Sequence, residues 1–115
     1  MATYLALFTG TPGRRTEWDM LDDATRKHRE QAGMQAWGQW MQDHQAVIVD
    51  SGGPLGKTKR AGPDGISDTS NNLAGFVKVS AGSHDAAVRL FENHPHFSIF
   101  PGDAVEVMEV LPIPT

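Results

Sequence analysis

A chain of 115 residues with 10 basic and 14 acidic side chains and a formal net charge of −4 makes a single domain, residues 1–115, that buries roughly two thirds of its unfolded surface in one core. The acidic balance repels phosphate backbones and anionic lipid, which excludes nucleic acid and membranes as partners. Cysteine is absent, so disulfides, thiolate nucleophiles and cysteine-ligated zinc are excluded as well.

In chain order, the apolar run Tyr4–Phe8 is too short for a signal-peptide core or a membrane span. It has no basic residue before it and closes on Gly10-Thr11-Pro12-Gly13, so it reads as a first strand of a cytoplasmic protein. Arg14–Glu30 is densely charged and solvated, and Thr16, three residues before Asp19, gives it a capping-box-like helix start. Met34, Trp37 and Met41, with Trp40 and His44 alongside, recur at helical spacing and predict an apolar stripe toward the helix end.

A continuous β-branched run, Ala46–Asp50, predicts the second strand. Lys57–Ala61 and Ile66–Asp68 flank Gly62-Pro63-Asp64-Gly65 and predict a small hairpin. Phe76–Val79 is the third strand of the sheet. Ser83 then stands as N-cap of a second helix, with Asp85 in its first turn and Ala87, Leu90 and Phe91 as its buried stripe. That helix is expected to stop at His94-Pro95-His96, with His94 as a C-terminal cap whose charged form the helix dipole favours. Ala104–Val110 is the last strand.

This order is an α+β fold, a ferredoxin-like βαββαβ unit with an antiparallel sheet. Tyr4–Phe8 is apolar at both parities, and two helices cover one face of a sheet. The remaining face predicts a homodimer packed sheet on sheet; the competing solution is that the segment 52–73 folds back across it.

Three groups of residues carry chemistry. Ser51-Gly52-Gly53-Pro54-Leu55-Gly56-Lys57-Thr58 ends like a phosphate-binding loop, but Ser51 replaces the first glycine and no helix can follow through Gly62-Pro63. A Gly/Pro turn is the better reading. His94 and His96, two apart, can share acid–base work. A metal site would need further ligands from Asp50, Asp68, Asp103 or His44, so neither a metal nor a cofactor is expected. Trp37 and Trp40 sit nearly on one helix face, one serving the core and the other the edge of a pocket.

Trp37-Gly38-Gln39-Trp40, Val49-Asp50-Ser51-Gly52-Gly53-Pro54-Leu55-Gly56, Asp64-Gly65-Ile66-Ser67-Asp68, Ala74-Gly75-Phe76 and Ala104-Val105-Glu106-Val107 with Pro112 together resemble the YCII-related, or DGPF-type, family of small proteins. The resemblance spans residues 34–114 and implies a dimeric α/β barrel of two ferredoxin-like protomers. Asp68 falls where the family's Asp-Gly-Pro-Phe motif begins, but Thr69-Ser70-Asn71 follows it. The helix histidine proposed as catalytic in some members would fall near Gln35-Ala36 and is missing.

Fold neighbours of that family include muconolactone isomerases, monooxygenases and non-catalytic proteins, so fold alone does not choose an activity. The first reading is a small-molecule-binding or accessory module with Trp37, Trp40, Asp50, Pro54, Leu55 and Phe76 as its ligand-binding set. The second is an isomerase, lyase or dehydrohalogenase in which Asp68 or His94 takes a proton and His96 returns one. Two ionisable groups converging on one concave site distinguish the second from the first.

Overall fold

A computed structural model describes residues 1–114. In chain order it contains β1 (Ala2–Thr9), α1 (Pro12–Asp19), α2 (Asp23–Asp43), β2 (Ile48–Pro54), β3 (Thr58–Gly62), β4 (Gly65–Thr69), β5 (Leu73–Ala81), α3 (His84–Arg89), α4 (Pro95–Ser98) and β6 (Ala104–Glu109). Four strands form an antiparallel sheet in the order β2-β5-β1-β6. With the β3–β4 hairpin set aside as an insertion, this is the ferredoxin-like order.

Strand parity divides the sheet into two faces. Tyr4, Ala6 and Phe8 stand opposite Val79, Val77 and Gly75, and all are buried beneath the helices with Trp40, Ala81, Ala87 and Phe91. The opposite parity carries Leu5 and Leu7 in the centre, paired to Lys78 and Phe76 on one side and to Met108 and Glu106 on the other. Among the described residues no helix covers that face: Leu5, Leu7 and Phe76 stay half-buried and Met108 is exposed.

The charged N-terminal segment folds as two helices, not one. α1 starts at Pro12, a residue suited to the first helical position because its missing N–H is not needed there. Thr16 is therefore inside α1, where its hydroxyl donates to the Pro12 carbonyl, and it caps nothing. The cap of α2 is Asp22, whose carboxylate accepts the Thr25 amide. That segment is not wholly solvated either, since Trp18 is buried against Phe100. On α2 the stripe is narrower than its spacing suggests: Trp40 is buried, Trp37 and Met41 are half-buried, and Met34 is exposed.

The second strand is shifted from the expected Ala46–Asp50. Ala46 and Val47 lie in the turn after α2, tied by the Val47 amide to the His44 carbonyl, and pairing begins at Ile48. As an edge strand β2 leaves Val49 exposed, so its β-branched run needed less cover than expected. The glycines after it make an irregularity in β2. Gly52 has φ +63°, and a Cβ there would meet the Phe76 carbonyl oxygen at 1.8 Å. Lys57 follows, exposed, and β3 begins at Thr58 with no helix to receive a phosphate.

The hairpin β3–β4 forms where expected, around Pro63-Asp64. It does not fold back over the sheet. Its residues are exposed apart from half-buried Thr58 and Gly62, and Lys59 pairs with Asp68 across it at 2.7 Å. The outline is consequently long and flat, 54 × 42 × 19 Å with a radius of gyration of 16.1 Å, against about 13 Å for a compact chain of this length. No helix among the described residues is long and apolar enough to cross a membrane.

α3 starts as expected, the Ser83 hydroxyl accepting the Ala86 amide at 3.0 Å. Ser83→Ala should therefore lower stability by about 1 kcal/mol, the usual cost of a lost N-cap, measured by chemical denaturation with an unchanged m-value.

Candidate functional site

The site is set by how the chain leaves α3. Asn93 adopts φ +56°, a left-handed conformation that ends the preceding turn. His94 then begins a new helix: it is the N-cap of α4, with Pro95 at the first position. The expected C-terminal cap is thus reversed. His94 Nδ1 accepts the His96 backbone N–H at 3.0 Å, and an amide only donates, so Nδ1 is unprotonated and the ring proton sits on Nε2.

His94 is completely buried. Its ring lies 4.5 Å from that of Trp37, 4.9 Å from Trp40 and 5.1 Å from Phe8, the first two nearly perpendicular. No oxygen or nitrogen accepts the Nε2 proton; the π faces of those rings are the electron-rich groups on offer. Burial, aided by the neighbouring His96 and His44, pushes the His94 pKa down to about 4. The sign is opposite to that of a dipole-stabilised cap.

His96 is buried next to it and has the complementary arrangement. Its Nε2 lies 2.7 Å from the Thr9 carbonyl oxygen, which only accepts, so Nε2 carries the proton and Nδ1 holds the lone pair. The Thr9 oxygen also accepts the Asp103 amide, and the Gly102 amide donates to the His96 carbonyl. A Cβ on Gly102 would stand 2.3 Å from His96 Nε2, so only glycine lets this turn close over the ring. Among the described residues the one buried side-chain nitrogen or oxygen without a partner is His94 Nε2. Among the described residues His96 Nδ1 has no partner either, but it is not one of the fully buried atoms, and His96 lines a cleft. Burial lowers its pKa, opposed by the Thr9 hydrogen bond and the Asp103 charge.

That cleft is about 920 Å³, within the range of small-molecule sites. Its walls are Phe8 from β1, Trp37, Trp40 and Met41 from α2, Phe100 after α4, and the backbone of β2 and β5. Trp40 is fixed by its indole N–H, which donates to the Leu90 carbonyl at 2.8 Å, and by stacking on Phe91 and His44. Arg15 of α1 and His96 are the ionisable side chains of the lining.

The nine residues expected from sequence separate cleanly. Trp37, Trp40, Pro54, Phe76 and His96 line the cleft, although Phe76 is paired to Leu7 on the parity of the open face. His94 lies behind the wall, out of reach of a ligand. Asp50 is exposed and accepts the Gly52 amide at 2.8 Å; Leu55 is 43% exposed and borders no part of the cleft. Asp68 is out on the hairpin, paired with Lys59, so the structure does not bring it to His96. Sequence reasoning missed Phe8, Arg15, Phe100 and Gly102. Phe8 could have been found from the parity it shares with Tyr4 and Ala6, and Arg15 from placing Pro12 at a helix start; nothing local marks Gly102. Among the described residues, no three His, Asp or Glu side chains gather as a metal site.

No model of a known protein family matches the chain, and no curated protein sequence does. Among solved structures it is similar to 5-chloro-2-hydroxyhydroquinone dehydrochlorinase (TftG) from Burkholderia phenoliruptrix AC1100, determined in complex with 2,5-dihydroxybenzoquinone. The identity is 21% and the TM-score 0.51, over 92% of this chain and 90% of that one. At that identity the likeness is one of fold, an α+β arrangement with an antiparallel sheet.

Both histidines have folded pKa values below their unfolded ones, so their contribution to stability is present above pH 6.5, the ordinary value, and is lost as pH falls through the folded values. For His94, from 6.5 to about 4, the full loss is on the order of 3 kcal/mol. Denaturation between pH 7 and 5, above the carboxylate range, should show the decline, and proton NMR should find the His94 ring untitrated in that window.

Proposed function

We propose that this chain is a YCII-related small-molecule protein that acts as a homodimer and uses His96 as a base on a planar ring compound held in the aromatic cleft. One observation carries the catalytic part: a neutral imidazole with its tautomer fixed by the Thr9 carbonyl and its Nδ1 lone pair unengaged, on a side chain that lines the aromatic cleft. This is the arrangement general-base catalysis requires, a base held in orientation by a second group.

The reaction class that fits is proton transfer from a carbon acid. His96 Nδ1 takes a proton from a ring carbon. In an elimination from the diketone tautomer of a hydroxylated ring, whose two reacting carbons are saturated, the C–H electron pair becomes the new C=C bond and the leaving group on the adjacent carbon departs with its own pair; water then removes the proton from His96. In an isomerisation His96 returns the proton to a different carbon. The imidazolium formed keeps its Nε2–H on the Thr9 oxygen, and the nearby Asp103 charge favours it. Dehydrochlorination by the structural neighbour, which binds a quinone, belongs to this class and supports the reading. Asp68 has no part in it within one protomer.

Binding without chemistry is the second reading, favoured by the lack of a carboxylic acid in the cleft lining to act as partner to His96. Chloride release from a chlorinated hydroxyhydroquinone, together with tryptophan quenching by 2,5-dihydroxybenzoquinone, separates the two. The expected outcome is turnover that falls about 10²-fold in His96→Gln while the quinone still binds. Its acid limb should lie below pH 6.5, because the His96 pKa is lowered from that value. Saturable quinone binding with no turnover would leave the binding module.

The open sheet face supports the homodimer. Leu5, Leu7, Phe76 and Met108 form an apolar patch flanked by Lys78 and Glu106, and a second copy offers the same patch to it. Sedimentation should give a dimer at micromolar protein, and Leu5→Glu should give a folded monomer. A wild-type monomer would refute the dimer and leave the reading of the cleft intact.

A further inference from the structure

We propose that Arg15 makes the cleft selective for planar compounds carrying an anionic oxygen, a carboxylate or a phenolate, over neutral compounds of the same shape. This rests on the cleft being a ligand site, as argued above. The chain has 14 acidic residues and a net charge of −4, yet the cleft lining contains no Asp or Glu and one permanent cation, Arg15. An anion entering the cleft thus meets attraction despite the acidic balance of the whole molecule.

The state of Arg15 fits that role. Its ion pair is with Asp19, a 3.4 Å contact through Nε between side chains that are 69% and 59% exposed. Such a surface pair is weak, and among the described residues no hydrogen bond engages the two Nη groups, which leaves the guanidinium fork open to a bidentate carboxylate. The neighbouring backbone has the same polarity. Thr11 gives α1 no side-chain cap, and among the described residues nothing in the chain accepts the Gly13 and Arg14 amides, so the positive end of α1 is unanswered beside Arg15. Thr11, Pro12 and Arg15 all border the cleft. An independent observation also points to a ligand: His96, 7% exposed, lines the same cleft, and among the described residues nothing pairs with its Nδ1. A ring against Trp37 and Phe8 would put its ionised edge to the cation and its reactive edge to the base.

The test compares 2-naphthoate with its neutral analogue 2-naphthamide, by calorimetry and tryptophan quenching. Wild-type protein should bind the naphthoate about tenfold more tightly, the worth of one partly solvated charge-assisted contact. Arg15→Gln should abolish that preference by weakening naphthoate alone, the unchanged naphthamide affinity showing that the cleft is still folded. Arg15→Lys should keep part of it, and Asp19→Asn, which releases Arg15, should tighten naphthoate. Equal binding of the two probes by wild type, or a preference that survives Arg15→Gln, would overturn the role of Arg15 and leave the cleft as a ligand site. If neither probe binds, the cleft reading itself fails and the proposal falls with it.

Discussion

The carbonyl oxygen of Thr9 holds the site together. It sits at the end of β1, where the strand's register against β5 shifts, and it accepts from both the Asp103 amide and His96 Nε2. A carbonyl oxygen has two lone pairs and here both are used. One bond ties the start of β6 to β1, and the other fixes which nitrogen of His96 is protonated. The sheet and the proton state of the candidate base therefore share one atom, and a distortion of the β1–β6 pairing would reach the imidazole directly.

The same backbone logic explains how two adjacent histidines can be buried side by side. A charged imidazole in this aromatic enclosure would be desolvated, which outweighs the Asp103 charge near His96 and meets no opposing carboxylate at His94, so both are held neutral. Neutral imidazoles have one donor and one acceptor nitrogen, and the chain uses them in opposite senses: His94 accepts from the His96 amide, whereas His96 donates to Thr9. Neither assignment depends on a side-chain carboxylate. Both are imposed by backbone groups whose donor or acceptor character cannot change with pH.

The scaffold was legible in the sequence and the site only in part, for a physical reason. Strand parity, helical spacing and turn residues are local, and they sufficed for the antiparallel sheet, the Ser83 cap and the Pro63-Asp64 hairpin. The misreadings were also local rules applied one step off. Thr16 matched a capping box, but Pro12 had already started α1. His94 before a proline matched a helix end, but Asn93 had already turned the chain, and the same proline opens a helix as readily as it closes one. The cleft depends on approaches across long separations: Thr9 to His96, Trp18 and Gly33 to Phe100, Gly102 to the His96 ring. No residue type or spacing encodes those. Asp68 shows the converse, since its motif position suggested the site while topology carried it out on a hairpin whose residues do not line the cleft.

His94 is the least economical residue in the structure when considered alone. Its buried N–H without an acceptor carries a penalty of about 1–3 kcal/mol, and a phenylalanine would fill the same aromatic space without it. But phenylalanine could not accept the His96 amide, which at the first turn of α4 has no carbonyl four residues earlier to bond. Asparagine or serine could accept that amide, yet neither is large or flat enough to fill the gap between Trp37, Trp40 and Phe8. Imidazole satisfies the cap and the packing together, and the orphan proton is what remains. His94 is therefore best understood as the residue that positions His96, holding its backbone from one side while Thr9 holds its ring from the other.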